Sequence, residues 1–127
     1  MLIPCKEIDF LLLLPKVHLN SFSMSPIEHA RGVLKEVFGF EDFLDGQEPV
    51  IADILSGKDG SVVMPTGGGK SLCYQLPALC REGVTLVVSP LIALMKDQVD
   101  ALEEREVAVT LINSTLTWPE QKERLEG

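Results

Sequence analysis

Residues 64–71 read Met-Pro-Thr-Gly-Gly-Gly-Lys-Ser, and this stretch determines how the rest of the chain is interpreted. Residues 61–64, Ser-Val-Val-Met, predict a short buried strand that runs into it, and the residues after it predict a helix over about 70–81 that Pro77 should kink. Three consecutive glycines let several backbone N–H groups point at one anion without a side chain blocking its approach. The stretch therefore predicts a phosphate-binding loop.

The residue types in this loop suit a nucleoside triphosphate with its metal ion. The first turn of the following helix adds partial positive charge, Lys70 can reach the β- and γ-phosphates, and the Ser71 hydroxyl can bind Mg²⁺. The full pattern asks for glycine six positions before the lysine, where this chain has Met64, so only the shorter core at 67–71 matches. The alternative is a glycine-rich turn with a chance Lys-Ser pair. The residues predicted to contact ATP here are Thr66, Gly67, Gly68, Gly69, Lys70 and Ser71.

The segments around the loop alternate between helix and strand. A helix start is marked by Ser25-Pro26-Ile27-Glu28, which combines a capping serine, proline at the first helical position and glutamate three residues after the cap. Further elements are predicted as helices at 46–56, at 91–104 and after residue 117, and as strands at 84–88 and 107–112. Such alternation predicts an α/β fold, with a parallel sheet covered by helices on both faces.

Residues 1–23 differ from the rest of the chain. Their apolar residues follow neither helical nor strand period, and Pro4 and Pro15 interrupt them. We expect an amino-terminal extension, or upstream sequence translated from a misplaced start, and the alternative is a short arm packed on the domain. The domain proper is predicted to cover residues 24–127.

The net charge of −8 argues at first against nucleic acid, whose binding usually needs a basic surface. The excess acid is local, however. Residues 26–63 hold three basic against eight acidic residues and residues 101–127 hold three against six, whereas residues 64–100 are balanced. We interpret the acidic segments as solvated helix faces, outside the segment with the phosphate-binding loop.

The cysteines and the apolar runs bear on location. Three cysteines, an odd count without metal-ligand spacing, fit a reducing cytoplasm, and Cys73 and Cys80 are expected to face the core. The longest purely apolar run, residues 10–14, is far below the ~20 residues that span a bilayer. No membrane association is predicted, and the expected location is the cytoplasm.

The order of motifs resembles the RecQ family of ATP-dependent DNA helicases, in helicase superfamily 2. Residues 64–78 resemble its motif I and residues 87–99, Val-Val-Ser-Pro-Leu-Ile-Ala-Leu-Met-Lys-Asp-Gln-Val, resemble its motif Ia. Residues 111–114 resemble the Leu-Asn-Ser stretch that follows, and residues 38–48 resemble the adenine-recognition motif, motif 0. The resemblance covers about residues 33–125, and it implies the amino-terminal part of a RecA-like ATP-binding domain.

The resemblance implies a role in nucleotide binding for two residues before the loop. Gln47 would read the adenine edge with its amide, and Phe40 would lie against the base. The family has arginine where this chain has Leu44 and proline where it has Asp45, and leucine can only pack where arginine can stack. Taken alone, without the neighbouring motifs, Gln47 is better explained as an ordinary polar residue in the first turn of a helix.

The resemblance also implies a DNA-binding track. Ser89, Pro90 and Lys96 occupy positions that lie beside single-stranded DNA in similar helicases. A strand-end hydroxyl with nearby backbone N–H groups suits a phosphate, which gives this placement a physical basis. Lys96 alone is equally compatible with a plain surface lysine.

The implied activity is 3′-to-5′ DNA unwinding coupled to hydrolysis of ATP with Mg²⁺, in recombination and repair. Lys70 would be the catalytic lysine, and single-stranded DNA or a duplex junction would be the partner. No predicted strand ends in the Asp-Glu-x-His box that such motors need, and a second motor domain is missing. We therefore expect a fragment that binds ATP weakly or not at all, without efficient hydrolysis.

Two other readings stay open at this point. One is a nucleotide-binding module built on the same loop without a role on DNA, which would have no reason to carry the Ser-Pro-Leu of residues 89–91. The other is a fragment that never folds, which proteolysis or amide exchange would expose.

Overall fold

A computed structural model describes residues 9–14, 25–65, 69–112 and 116–126. The chain divides into two compact units. One unit is Pro15–Gly83, and the other combines Met1–Leu14 with Val84–Gly127. The elements in chain order are β1 (Asp9–Leu14), α1 (Pro26–Phe38), α2 (Gln47–Leu55), α3 (Leu72–Cys80), β2 (Thr85–Ser89), α4 (Ile92–Glu104), β3 (Ala108–Ile112) and α5 (Trp118–Glu126).

The unit Pro15–Gly83 is built from α1, α2 and α3, each packed against the other two. Helix α1 starts as the sequence predicts. The Ser25 hydroxyl accepts from Glu28 N–H at 3.4 Å, the Glu28 carboxylate accepts from Ser25 N–H at 3.0 Å, and Pro26 opens the helix. It ends at Gly39, whose φ of 74° lies in the left-handed region that glycine enters without strain. The predicted capping box is therefore confirmed.

The core of this unit lies between the three helices, and α1 contributes one face to it, as its apolar spacing predicts. Helix α3 is almost wholly buried, including Pro77 within it, and its bounds confirm the predicted helix in shortened form. Its buried apolar residues join those of the other two helices: Ala30, Val33, Leu34, Phe38, Ile51, Leu72, Cys73, Leu76, Ala78 and Leu79.

The buried strand predicted over residues 61–64 is wrong. These residues have no regular secondary structure, and the side chains of Val62 and Val63 are 50% and 96% exposed. A strand needs a neighbour to satisfy its backbone N–H and C=O groups. The described part of this unit contains helices only, so residues 61–64 find no such neighbour within it.

The other unit contains a three-stranded sheet in the order β2-β1-β3. The central strand runs antiparallel to both neighbours, and Leu11 pairs with Val87 on one side and with Leu111 on the other. The predicted parallel sheet is therefore wrong for the described strands. Strands β2 and β3 run in the same direction, but they do not pair with each other, because β1, which the sequence did not predict, lies between them.

Strand β1 also corrects the reading of residues 1–23 as a segment without strand character. Asp9–Leu14 contains an unbroken apolar run rather than an alternating one. A short continuous run of this kind is compatible with a strand although its period gives no signal. The alternative of an arm packed on the folded chain fits residues 9–14 better, whereas the division at residue 23 stays a prediction.

The other elements of this unit lie close to their predicted positions. Helix α4 packs on β3 and β1, and α5 packs on β3. The buried residues are Met95, Val99, Leu102, Val107 and Ile112. Among the described residues, no helix is both long and apolar enough to cross a membrane. The mixture of helices and strands confirms the α/β composition.

Candidate nucleotide-binding and nucleic-acid sites

Gln47 is the centre of the candidate nucleotide site. It is the first residue of α2 and only 2% exposed, although it is polar. Its Oε1 accepts from Leu44 N–H at 2.8 Å, and its Nε2 donates to the Gly69 carbonyl at 3.1 Å. Both ends of the amide are thus satisfied, as a buried polar group requires. The side chain joins the segment before α2 directly to the glycine-rich loop.

Gly69 explains why the loop needs glycine at this point. Its φ is 75°, which strains any residue with a Cβ, and a Cβ built there would collide with the Gln47 amide and lie 3.4 Å from Leu44 Cδ1. The Cys73 thiol approaches the same carbonyl at 3.8 Å. The Gly69 backbone is therefore held in close contact with the segment around Gln47, without room for a side chain between them.

Three of the remaining predicted nucleotide residues fall within the part of the chain that the structure describes. Lys70 is exposed beside Gly69, and Ser71 is half-buried directly before α3. Phe40 is 49% exposed in the segment between α1 and α2. Thr66, Gly67 and Gly68 lie outside the described residues.

The start of α3 and the residues before it have the chemistry that a bound triphosphate requires. The first turn of α3 follows the loop directly, and the exposed Lys70 offers a positive charge at that helix end. For Mg²⁺ the protein itself offers the Ser71 hydroxyl. Among the described residues, no cluster of three histidine, cysteine or acidic side chains could hold a metal ion. A magnesium ion here would therefore depend on phosphate oxygens and water for most of its ligands.

Leu44 and Asp45 stand where the resembling family has arginine and proline. The Leu44 backbone N–H and C=O both bond to Gln47, since its carbonyl accepts from Gln47 N–H at 3.1 Å. Its side chain is 57% exposed and thus open to an aromatic base. Gly46, with φ 86°, makes the tight turn into α2. The turn into α2 therefore forms although Leu44 and Asp45 differ from the arginine and proline of the family.

Arg31 in α1 was missed by the sequence analysis. Its Nη1 donates to Asp42 Oδ1 at 2.8 Å, its Nη2 donates to Glu48 Oε2 at 2.6 Å, and its Cζ lies 5.1 Å from the centroid of the Phe43 ring. The Arg31 guanidinium beside Asp42, together with the Phe43 backbone N–H, lowers the pKa of that carboxyl. The hydrogen bond to Asp42 and, to a smaller extent, the hydrogen bond to Glu48 raise the pKa of Arg31.

A signal for Arg31 was available in the charge distribution. Residues 26–63 contain only three basic side chains against eight acidic ones, so several acidic residues were available to pair with each lysine or arginine. Helical spacing gave no hint of the choice, because the partners lie 11 and 17 residues away in the chain.

The predicted DNA-binding residues lie in the other unit. Ser89 ends β2, and its hydroxyl accepts from Leu91 N–H at 3.2 Å, which orders the turn at Pro90. Lys96 lies on an exposed part of α4 and pairs with Asp100 at 2.9 Å; the hydrogen bond to that carboxylate raises the pKa of Lys96. Ser89 and Pro90 are thus adjacent at a strand end, whereas Lys96 is already engaged by an acidic neighbour.

The two described cysteines are thiols rather than thiolates at neutral pH. Burial raises the pKa of Cys80 to about 11, and burial likewise raises the pKa of Cys73. The expectation that both serve as small apolar residues of α3 fits this environment.

Comparison with known proteins identifies the architecture to which these sites belong. The model of the family described as "DEAD/DEAH box helicase" matches residues 45–126, which include the loop, β2, α4 and β3. The chain is a DEAD/DEAH box helicase family member. The helicase family has a RecA-like fold, so membership also supports the predicted fold at that level.

Individual helicases narrow the resemblance further. The chain is 55% identical over 94 residues to ATP-dependent DNA helicase RecQ of Haemophilus influenzae, covering 74% of this chain and 15% of that protein. It is 50% identical over 102 residues to the RecQ of Bacillus subtilis, covering 80% and 17%. ATP-dependent DNA helicase Q5 of Rattus norvegicus is 55% identical over 97 residues, covering 75% and 10%. The predicted RecQ resemblance is confirmed, and the chain spans less than a fifth of these relatives' lengths.

Proposed function

We propose that this chain supplies the nucleotide-binding elements of an ATP-dependent 3′-to-5′ DNA helicase of the RecQ type, acting in recombination and repair. Residues 24–127 would form the amino-terminal part of its ATP-binding domain. The observation that carries the proposal is the hydrogen bond from Gln47 Nε2 to the Gly69 carbonyl at 3.1 Å. It connects the motif assigned to adenine with the loop assigned to the phosphates.

The division of labour within this site follows from residue chemistry. When bound, the nucleotide and Mg²⁺ supply the bond to be hydrolysed and the charge neutralisation that phosphoryl transfer requires. The backbone N–H groups of residues 66–69 would bind the phosphates, and the Lys70 ammonium would contact the β- and γ-phosphates. Ser71 would hold the magnesium ion through its hydroxyl. Gln47 would bind the adenine with the Nε2 hydrogen and the Oε1 lone pair that its bonds to Gly69 and Leu44 leave unused. Phe40 would lie against the base, with Leu44 packing where the family has arginine.

A lysine pair tests the phosphate assignment. We expect the 127-residue chain to bind ATP with Mg²⁺ weakly, Lys70→Ala to lose this binding, and Lys58→Ala to keep it. Lys58 is a suitable control because it is an exposed lysine of the same unit that pairs with Asp53 at 3.4 Å. Isothermal titration calorimetry with ATP and Mg²⁺ measures the three affinities. Equal affinity of the Lys70→Ala and unaltered chains would refute the assignment.

Hydrolysis is expected to be inefficient in this chain alone. None of the described strands ends in paired acidic residues that could position Mg²⁺ and water, since β2 ends in Ser89 and β3 in Ile112. A steady-state ATPase assay with DNA present measures this directly. Turnover at the rate of a complete helicase motor would contradict the expectation.

We further propose that Ser89, Pro90 and Lys96 contact the backbone of single-stranded DNA, as similar helicases imply. Contacts to phosphate make affinity fall with salt, by about one counterion per lysine contact. We therefore expect Lys96→Ala to weaken binding of a single-stranded oligonucleotide and to flatten its salt dependence. Lys122→Ala is the control, as a lysine of α5 outside the motif. An unchanged salt dependence in Lys96→Ala would remove Lys96 from the track.

A further inference from the structure

Arg31 makes three contacts that enclose the adenine-binding segment from both sides. Asp42 and Phe43 precede Gln47 in the chain, and Glu48 follows it directly in the first turn of α2. The two terminal nitrogens of one guanidinium donate to Asp42 and to Glu48. Arg31 therefore fixes the distance between the segment before Gln47 and the helix that Gln47 begins. Gln47 therefore lies between these two anchored points along the chain.

The chemistry of this contact needs arginine in particular. The guanidinium is planar and delocalised, so its two terminal nitrogens donate to different carboxylates while its face lies against the Phe43 ring. A lysine ammonium is a point charge, and from the same backbone position it could hold one carboxylate at a time. The charge on Arg31 persists at any working pH, so the contact does not depend on titration of the cation.

A neighbouring ion pair differs from the Arg31 contact chiefly in having one partner, because Asp42 is itself 76% exposed. Lys35 Nζ lies 3.2 Å from Glu41 Oε2, and both side chains are well exposed, at 65% and 82%. It also joins α1 to the segment before α2, but by one contact at the far end of that segment from Gln47. Exposed single pairs of this kind contribute little to structure. The Lys35–Glu41 pair is therefore a matched control in the same two elements.

We propose that Arg31 is a positioning residue for adenine selectivity, holding the segment 42–48 so that the Gln47 amide is presented in one fixed orientation next to the glycine-rich loop. This inference rests on the proposed function. Arg31 itself would not touch the nucleotide. None of its three contacts is to Gly69 or Lys70, so the loss should fall on discrimination between bases and not on capture of the triphosphate.

The test compares ATP and GTP binding to the full 127-residue chain and to Arg31→Ala, Arg31→Lys and Lys35→Ala, each by protein-observed NMR titration. We expect Arg31→Ala to lower the preference for ATP over GTP by about fivefold, the affinity equivalent of one net hydrogen bond. Its GTP affinity should change less than about twofold, because the triphosphate contacts remain. Arg31→Lys should recover part of the preference, and Lys35→Ala should keep it.

The outcomes separate this inference from the function on which it rests. A chain that binds neither nucleotide fails the proposed function and the inference together. Equal binding of ATP and GTP by the unaltered chain leaves triphosphate binding intact and overturns the inference. An Arg31→Ala chain with an unaltered ATP preference also overturns it. If Arg31→Ala loses its circular dichroism, Asp42→Ala and Glu48→Ala remove the two accepting side chains singly, and an unchanged preference in both overturns the proposal.

Discussion

Replacing Gln47 by glutamate changes one atom of a buried contact. The new carboxylate would keep the oxygen that accepts from Leu44 N–H at 2.8 Å, but the nitrogen that donates to the Gly69 carbonyl at 3.1 Å would become a second oxygen. At 2% exposure water cannot compensate for that change. A net hydrogen bond of about 1 kcal/mol is lost, and an unsatisfied buried charge adds about 1–3 kcal/mol. We expect the free energy of unfolding to fall by about 2–4 kcal/mol near neutral pH.

The substituted carboxyl should also make stability depend on pH in a defined direction. Burial and the facing carbonyl disfavour its charged form, so its pKa rises in the folded state. A group with a raised folded-state pKa contributes stability that is fully present below its unfolded pKa and is lost as the pH rises through the folded one. In the protonated form the added O–H can donate to the Gly69 carbonyl. Lowering the pH from about 7.5 to about 5 should thus restore at least ~1 kcal/mol.

Urea unfolding followed by far-ultraviolet circular dichroism measures this change at both pH values. Gln47→Leu is the control, because it removes both hydrogen bonds without introducing a titratable group. Its destabilisation should be the same at both pH values. A Gln47→Glu chain whose stability is equally low at both, or unchanged from the unaltered chain, would refute the claim that Nε2 donates to Gly69.

Three further predictions concern stability. Leu76→Ala removes a side chain with 0% exposure and should lower the free energy of unfolding in urea by about 2–5 kcal/mol. Val63→Ala, at 96% exposure, should lower it by less than about 0.5 kcal/mol. A large loss of stability in Val63→Ala would support the buried strand that the sequence predicted. Glu106 has φ 60° after α4, so Glu106→Gly should raise stability by about 0.5–1 kcal/mol in thermal unfolding, and a decrease would contradict the strain. Because the pKa of Asp42 is lowered in the folded state, this carboxylate stabilises the fold above its ordinary pKa of 3.8, and that stability is lost as the pH falls through the folded-state pKa. In acid unfolding, Asp42→Asn should therefore lose less of its free energy of unfolding than the unaltered chain. Equal losses in the two proteins would count against the ion pair.

Local chemistry was predictable from the sequence where one short segment contains all the partners. The capping box of α1 is an example, since Ser25 and Glu28 satisfy each other's backbone N–H groups within one turn. Helix and strand positions after residue 84 followed from apolar segments and from the cap-like start of the last helix, to within one or two residues. The position of Gln47 at the start of α2 followed from the predicted helix at 46–56, but its hydrogen bond to Gly69 did not, because 22 residues separate them.

Features that depend on distant partners could not be predicted. The spacing of α1 marks Arg31 only as a charged helical residue, and nothing local selects Asp42 and Glu48 from the surrounding acids. Residues 61–64 have the composition of a strand, but a strand forms only where another edge accepts its hydrogen bonds. The opposite error occurred in Asp9–Leu14, where the apolar run lacks alternation and yet pairs with two strands far along the chain.

The central place of β1 has a consequence for biosynthesis. Phe10 pairs with Val88 and with Ile112, so its partners follow it by 78 and 102 positions. At a ribosomal rate of about 5–20 residues per second, the segment would wait on the order of 5–20 s after emerging before its last partner strand is available. Throughout that interval a run of apolar residues with strand-forming tendency is exposed to other nascent chains. Holding chaperones would be most useful to this protein during those seconds, before the ribosome reaches Ile112.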